Sequence, residues 1–304
     1  MEISRIESAL ISSNIDPACE AQYNLRARHP ERTEIYREFA HRSAQTRRRS
    51  GANLDLRYGA KDASVLDLFV PENGSRPPLL IFIHGGYWRA LDKHDFSFIA
   101  DAYLSQGVAV AMPNYDLAPQ ATVSDIVAQV CDSVSWLAEH GESLGYDDNR
   151  IVISGHSAGG HMAARAICRE HIPLLAGKLL GYVGLSALFD LEPLLSTSIN
   201  NDLNMSAQEA QKWSLYGNQG LFDIPMLLAV GELETQGFQK QSLDFSRFCE
   251  KNGHQVENMV VPQRNHFDLL MDFASGSNTT SPLFDKTMGM FRKPGNQPDL
   301  HGEP

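Results

Sequence analysis

Gly155-His156-Ser157-Ala158-Gly159 reads G-x-S-x-G and lies between two segments of different character. Residues 150–154 form a short β-branched run, and residues 160–167 are good helix formers. A serine on a tight turn of small residues between strand and helix stands at the end of a sheet with its hydroxyl exposed. Its backbone then lies at a helix N-terminus, where unpaired N–H groups favour negative charge. Serine alone is a weak nucleophile. It needs a base to take its proton and a third group to orient that base.

His266 is the candidate base, five residues past the apolar run 256–261, and the chain order serine, acid, histidine fits a site of this kind. The acid has three candidates. Glu234 and Glu232 follow the run 226–230, and Asp190 follows the run 179–185. Asp190 could equally cap a helix before Leu191-Glu192-Pro193. Spacing alone leaves the three open, with Glu234 far enough past its strand to turn back over the sheet. His84-Gly85-Gly86-Tyr87-Trp88 directly follows the apolar run 79–83. Two glycines there let the backbone turn sharply and aim amides at a developing oxyanion. The expected donors are the N–H groups of Gly86, Tyr87 and Ala158. Trp88, Tyr115 and Trp213 are the candidates to line an aromatic substrate pocket. His156 and His161 flank the serine and are read as packing or hydrogen bonding around the turn. No histidine pair with a carboxylate at zinc spacing occurs, so neither a metal nor a cofactor is expected.

Such a site needs strands that end on one edge. Runs at 54–58 and 65–70 read as an antiparallel lead-in pair. Those at 79–83, 108–112, 151–154, 179–185, 226–230 and 256–261 read as strands, several of them continuously apolar as burial on both faces requires. Helical spacing covers 92–106, 123–139 and 238–250. This alternation predicts an α/β fold with a mostly parallel eight-stranded sheet flanked by helices. Residues 1–292 read as one domain, with a polar, Arg-rich helical arm over 1–50 and a small helical cap inserted at about 187–222. The tail 293–304 has no core residues and reads as disordered.

The 37 acidic residues outnumber the 26 basic ones, for a net charge of −11, which argues against nucleic acid as a partner. Arg47-Arg48-Arg49 is read as a solvated face that pairs with the excess carboxylates. No run reaches the length of a membrane span, the N-terminus lacks a signal-peptide core, and the four cysteines show no paired spacing. A cytoplasmic protein is therefore expected, free or as a homodimer. Its partner would be a small molecule.

The pairing of the 84–88 loop with residues 155–161 resembles the serine-hydrolase type of arylformamidase (kynurenine formamidase), in the α/β-hydrolase superfamily near the hormone-sensitive-lipase-like esterases. The resemblance takes in Phe82-Ile83, Pro113-Asn114-Tyr115, residues 230–242 and His266-Phe267-Asp268, covering roughly 55–285. It implies an α/β-hydrolase fold and places the acid on Glu234. It also implies an acyl-enzyme mechanism that removes a formyl group from an aryl amide such as N-formylkynurenine. Two features depart from the family pattern. The acid is often Asp, so the longer Glu234 would need an adjusted loop. The segment Trp213-Ser214-Leu215 lacks the usual Ser-Pro, which puts the pocket wall in question. A short-chain carboxylesterase, or another aryl amide or carbamate hydrolase, fits the same machinery. A non-catalytic ligand-binding protein on this fold is the reading from another class, and the retained serine and histidine weigh against it.

Overall fold

The computed structural model describes residues 15–49, 51–72, 76–217, 220–276 and 281–292; the predicted disordered tail 293–304 and residues 1–14 of the predicted arm lie outside them. Eight strands form one sheet: β1 (Ala52–Arg57), β2 (Val65–Phe69), β3 (Pro78–Ile83), β4 (Ala109–Pro113), β5 (Asp147–His156), β6 (Leu179–Leu185), β7 (Met226–Gly231) and β8 (Val256–Val261). Their order is β1-β2-β4-β3-β5-β6-β7-β8. β2 runs antiparallel to both β1 and β4, and every later pairing is parallel.

The two faces of the sheet can be read directly from the strand sequences. In β3, Leu79, Ile81 and Ile83 join one core cluster, while Leu80 and Phe82 join the other. β7 divides the same way, Met226, Leu228 and Val230 against Leu227 and Ala229. Alternate side chains of a pleated strand point to opposite faces, so a continuous apolar run requires helices on both sides. Among the described residues, α1 (Pro17–Tyr23), α2 (Leu25–Arg28) and α3 (Arg32–Thr46) precede the sheet. α4 (Val123–Glu139) opens with a reciprocal Thr122–Asp125 cap, α5 (Ala158–Ala166) follows β5, and α6 (Gln236–Lys251) follows β7.

Two boundaries differ from the sequence pattern. The predicted helix over 92–106 divides into a 3-10 turn at Lys93–Phe96 and an α-helix at Ile99–Leu104. Ser43 of α3 stabilises the break, its hydroxyl donating to the Asp95 carbonyl (2.9 Å) and accepting from the Phe98 amide (3.0 Å). β5 starts four residues earlier than its apolar run, because Asp147 pairs with Pro78.

The N-terminal helices are part of the core. Phe39 of α3 is fully buried and stacks on Phe98 at 4.5 Å. Arg47 pairs with the buried Asp67, which also takes the Lys93 ammonium at 2.8 Å, and Arg49 reaches Asp101 at 2.6 Å. Arg47 and Arg49 thus pair with carboxylates, Arg47 with one that is buried rather than solvated. All four cysteines are free. Among the described residues, no helix is long and apolar enough to cross a membrane.

Candidate active site

Parallel strands all end on the same edge, so loops far apart in sequence meet there. Ser157 stands where β5 turns into α5, with φ 56° and ψ −121°. This is a strained conformation for a residue with a side chain, and such strain persists only where the surroundings enforce it. The Ser157 amide donates to the Leu185 carbonyl of β6 at 2.8 Å. A Cβ on Gly159 would come within 2.1 Å of the Ile83 carbonyl oxygen, so only glycine lets α5 approach β3 this closely.

His266 lies in the turn after β8. Asn265 accepts from the amides of Phe267 (2.8 Å) and Asp268 (3.0 Å), and Asp268 accepts from the Asn265 amide (2.7 Å), which fixes the turn. Glu234, after β7, meets His266 Nδ1 through Oε2 at 2.8 Å. Its Oε1 accepts from the Ser186 hydroxyl (2.5 Å) and the Gly231 amide (2.7 Å). The carboxylate side chain is fully buried, and these three donors compensate its desolvation. A carboxylate accepts only, so Nδ1 carries the ring proton and Nε2 is the basic nitrogen. The other acid candidates face elsewhere: exposed Glu232 accepts from the Gln263 amide (2.9 Å), and Asp190 accepts from the Glu192 amide (3.0 Å) at the entry of a 3-10 turn whose N-cap position is Leu191. The longer side chain of Glu234 is accommodated because the turn folds it back onto the amide of its own Gly231. Ser186 carried no signal in the sequence; it is a strand-end residue brought to the carboxylate by the β6–β7 pairing.

His156 Nε2 donates to the His266 carbonyl at 2.8 Å, and burial holds its pKa well below the ordinary histidine value. His161 donates to the Trp213 carbonyl at 2.8 Å, and burial lowers its pKa to about 3. Both rings are therefore neutral supports around the turn.

In the 84–88 loop, Gly86, Tyr87 and Trp88 have φ of 117°, 53° and 56° in succession. Among the described hydrogen bonds, the amides of Gly86, Tyr87 and Ala158 donate to no protein acceptor. His84 anchors the loop, stacked against Tyr115 at 4.3 Å and donating to Asn114 Oδ1 at 3.1 Å, while the Tyr115 hydroxyl donates to the His84 carbonyl at 2.8 Å.

A cavity of about 200 Å³ opens at Ser157 and His266. Gly86, Tyr87 and Arg89 to Leu91 form one part of its wall, His156 and Phe267 another, and Asn24, Leu25, Arg26, Arg32 and Tyr36 the rest. The aromatic pocket expected from Trp88, Tyr115 and Trp213 is therefore corrected, since none of the three lines the cavity. Trp88 is fully buried edge-on to His161, Tyr115 packs on His84, and Trp213 is 6 % exposed beneath Arg165. The expected cap is corrected as well. No described residue of 187–222 lines the cavity; these residues hold α1, which leads into the lining residues Asn24, Leu25 and Arg26. Glu20 accepts from the Ser198 hydroxyl (2.6 Å) and amide (2.8 Å), and the Asp16 amide donates to the Ser196 carbonyl (2.8 Å). The Tyr87 hydroxyl donates to the Tyr23 carbonyl at 2.6 Å, tying the 84–88 loop to α1. Among the described residues, no cluster of His, Cys, Asp or Glu is placed to hold a metal ion.

The BD-FAE family model matches residues 66–188. The chain is 32 % identical to the kynurenine formamidase of Salmo salar over 251 residues, 78 % of this chain and 82 % of the relative. It is 33 % identical to a provisionally named thioesterase of Silicibacter sp., whose solved structure aligns with a TM-score of 0.72 over 80 % of this chain and 89 % of that one. Esterase B of Lactobacillus rhamnosis, at 18 % identity, shares the fold with a TM-score of 0.66 over 88 % of this chain and 94 % of its own. The fold is that of the α/β-hydrolases, and the protein is a serine hydrolase of that type.

Proposed function

Because the chain belongs to the kynurenine formamidase family of the α/β-hydrolases, we propose that it hydrolyses an N-formyl aryl amide of the N-formylkynurenine type to formate and the free aryl amine. The observation that carries this reading is the match to a kynurenine formamidase across about four fifths of both chains. The site's geometry gives each step a residue. His266 Nε2 takes the proton as Ser157 Oγ attacks the formyl carbon, and Glu234 holds the imidazole and stabilises its cation. The amides of Gly86, Tyr87 and Ala158 receive the oxyanion. The imidazolium then protonates the departing amine as the C–N bond breaks. Water, deprotonated by the same nitrogen, releases formate from Ser157. Ser157 Oγ and His266 form no hydrogen bond among the described contacts, and ligand-free sites often tighten only on binding substrate.

A short-acyl esterase is the second reading, favoured by the thioesterase-named structure at 33 % identity. Comparing kcat/KM for N-formylkynurenine with that for p-nitrophenyl acetate and butyrate separates the two. The formamide should be the best substrate. A preference for butyrate with negligible formamide turnover would overturn the formamidase reading. Ser157 should also be labelled by a fluorophosphonate, and labelling should vanish in Ser157→Ala.

A further inference from the structure

The cavity wall carries a charge opposite to that of the chain. The sequence has a net charge of −11, yet the residues lining the cavity include Arg26, Arg32 and Arg89 and no Asp or Glu. Arg89 is neutralised by Asp202. Arg26 and Arg32 are not: among the described residues, neither has a carboxylate within ion-pair distance. Arg32 Nη1 donates to the carbonyls of Arg26 (2.5 Å) and His29 (3.3 Å), which fixes the guanidinium where Arg32 lines the cavity. The neighbouring carboxylates are engaged elsewhere. Glu31 meets His29 (2.7 Å) and Asn265 (3.3 Å), and Glu34 meets Arg37. Burial raises the phenol pKa of Tyr36, the charges of Arg32 and Arg26 oppose that rise and Asp95 adds to it more weakly, so both guanidiniums act on the same corner of the cavity.

We propose that Arg26 and Arg32 form an anion subsite that binds a carboxylate on the leaving-group half of the substrate. Two guanidinium forks beside an apolar and aromatic wall of Leu25, Tyr36 and Phe267 suit an aryl group bearing a carboxylate. Placing the charge on the leaving half rests on the formamidase reading, because a formyl group has no room for one. The two arginines act as specificity residues outside the chemical step.

The test uses paired probes that differ only in charge: 3-acetoxybenzoate against phenyl acetate, and 3-formamidobenzoate against formanilide. The wild type should prefer the carboxylated member of a pair about tenfold in kcat/KM, mainly through KM, the scale of one charge-assisted hydrogen bond. About 0.5 M NaCl should reduce that preference, because exposed charges are screened. Arg26→Met should bring the ratio within each pair close to one, and Arg26→Lys should recover part of it. Arg32→Met should act in the same direction. Because Arg32 also ties the backbone turn, the exposed Arg26 is decisive if the Arg32 variant fails to fold. A ratio near one in the wild type, or an unchanged ratio in Arg26→Met, overturns the subsite. If neither formamide reacts while the ester pair keeps its ratio, the formamidase reading falls and the subsite stands.

Discussion

The strand-end loops and the N-terminal helices line the same cavity but are held by different means. Ser157 and His266 are 2 % and 3 % exposed, and Glu234 has every carboxylate contact supplied by buried neighbours. The N-terminal part of the wall, Asn24 to Arg26 with Arg32 and Tyr36, joins the body through the buried Tyr23 and Leu25 and through polar ties at Glu20, Gln22 and the Tyr87–Tyr23 bond. One region therefore has its geometry fixed by the sheet, while the other sits on two buried anchors and a few replaceable polar ties. Chemistry needs groups held to fractions of an ångström, whereas substrate choice can be set by a wall that varies. Changes in the loops should appear in kcat, and changes in the helices in KM and in substrate preference.

The largest effect expected from that division is at the acid. Glu234→Gln offers His266 Nδ1 an amide in place of a charge and should cut kcat by about ten-thousand-fold, the scale of losing an orienting carboxylate. Glu232→Gln, two residues away but exposed and bonded to the Gln263 amide, should stay within about twofold of wild type, as surface substitutions do. The reverse ranking by steady-state kinetics would remove the assignment of Glu234. A smaller effect is expected at the oxyanion loop. A Cβ on Gly86 would lie 2.1 Å from the Ala90 carbonyl oxygen, at φ 117°. Gly86→Ala must therefore displace the loop and its amides, lowering kcat by roughly a hundred- to a thousand-fold. Because the strain is confined to a loop, the thermal midpoint should fall far less than for a core substitution. An unfolded Gly86→Ala protein would mean that the loop supports the fold as well as the site.

The same division explains what could be read from the sequence. The strand ends were legible because burial on both faces forces continuous apolar runs such as 79–83, and because glycines such as Gly159 mark contacts no other residue permits. Ser157, Glu234 and His266 come together because the strands before them are parallel, and order along the chain carries that information. The wall of Leu25, Arg26, Arg32 and Tyr36 had no such signature. Its residues lie more than a hundred positions from Ser157, in a polar segment whose composition reads as a solvated face. Trp88, Tyr115 and Trp213 misled for the opposite reason: a large aromatic near a site packs well in a core, and here each supports the loops from behind. The break near residue 97 was also hidden, since the hydroxyl that stabilises it belongs to Ser43 on another helix.

The smallest effect concerns the ties of the N-terminal helices, and pH reaches it. Burial pushes the Glu20 carboxyl up, but donors from Ser198 and Asn24 outweigh it, so its pKa lies below the ordinary glutamate value. A carboxylate with a depressed folded pKa contributes stability that is fully present above the unfolded value and is lost as pH falls through the folded one. Acidification below the ordinary glutamate range should therefore loosen Glu20 from Ser198. It should also free Asn24, which Glu20 holds at 2.6 Å and which lines the cavity. Hydrogen exchange followed downward from neutral pH should show amides in α1 and α2 losing protection before those of α4, whose apolar face from Ile126 to Leu137 is buried in the core. At neutral pH, Glu20→Ala should mimic the acid state, with roughly fivefold faster exchange in α1, the scale of one lost hydrogen bond, and a rise in KM with kcat nearly unchanged. Joint loss of protection in α1 and α4 would show that the N-terminal helices and the sheet open as one unit, and the separation of chemistry from selection would fail at its structural root.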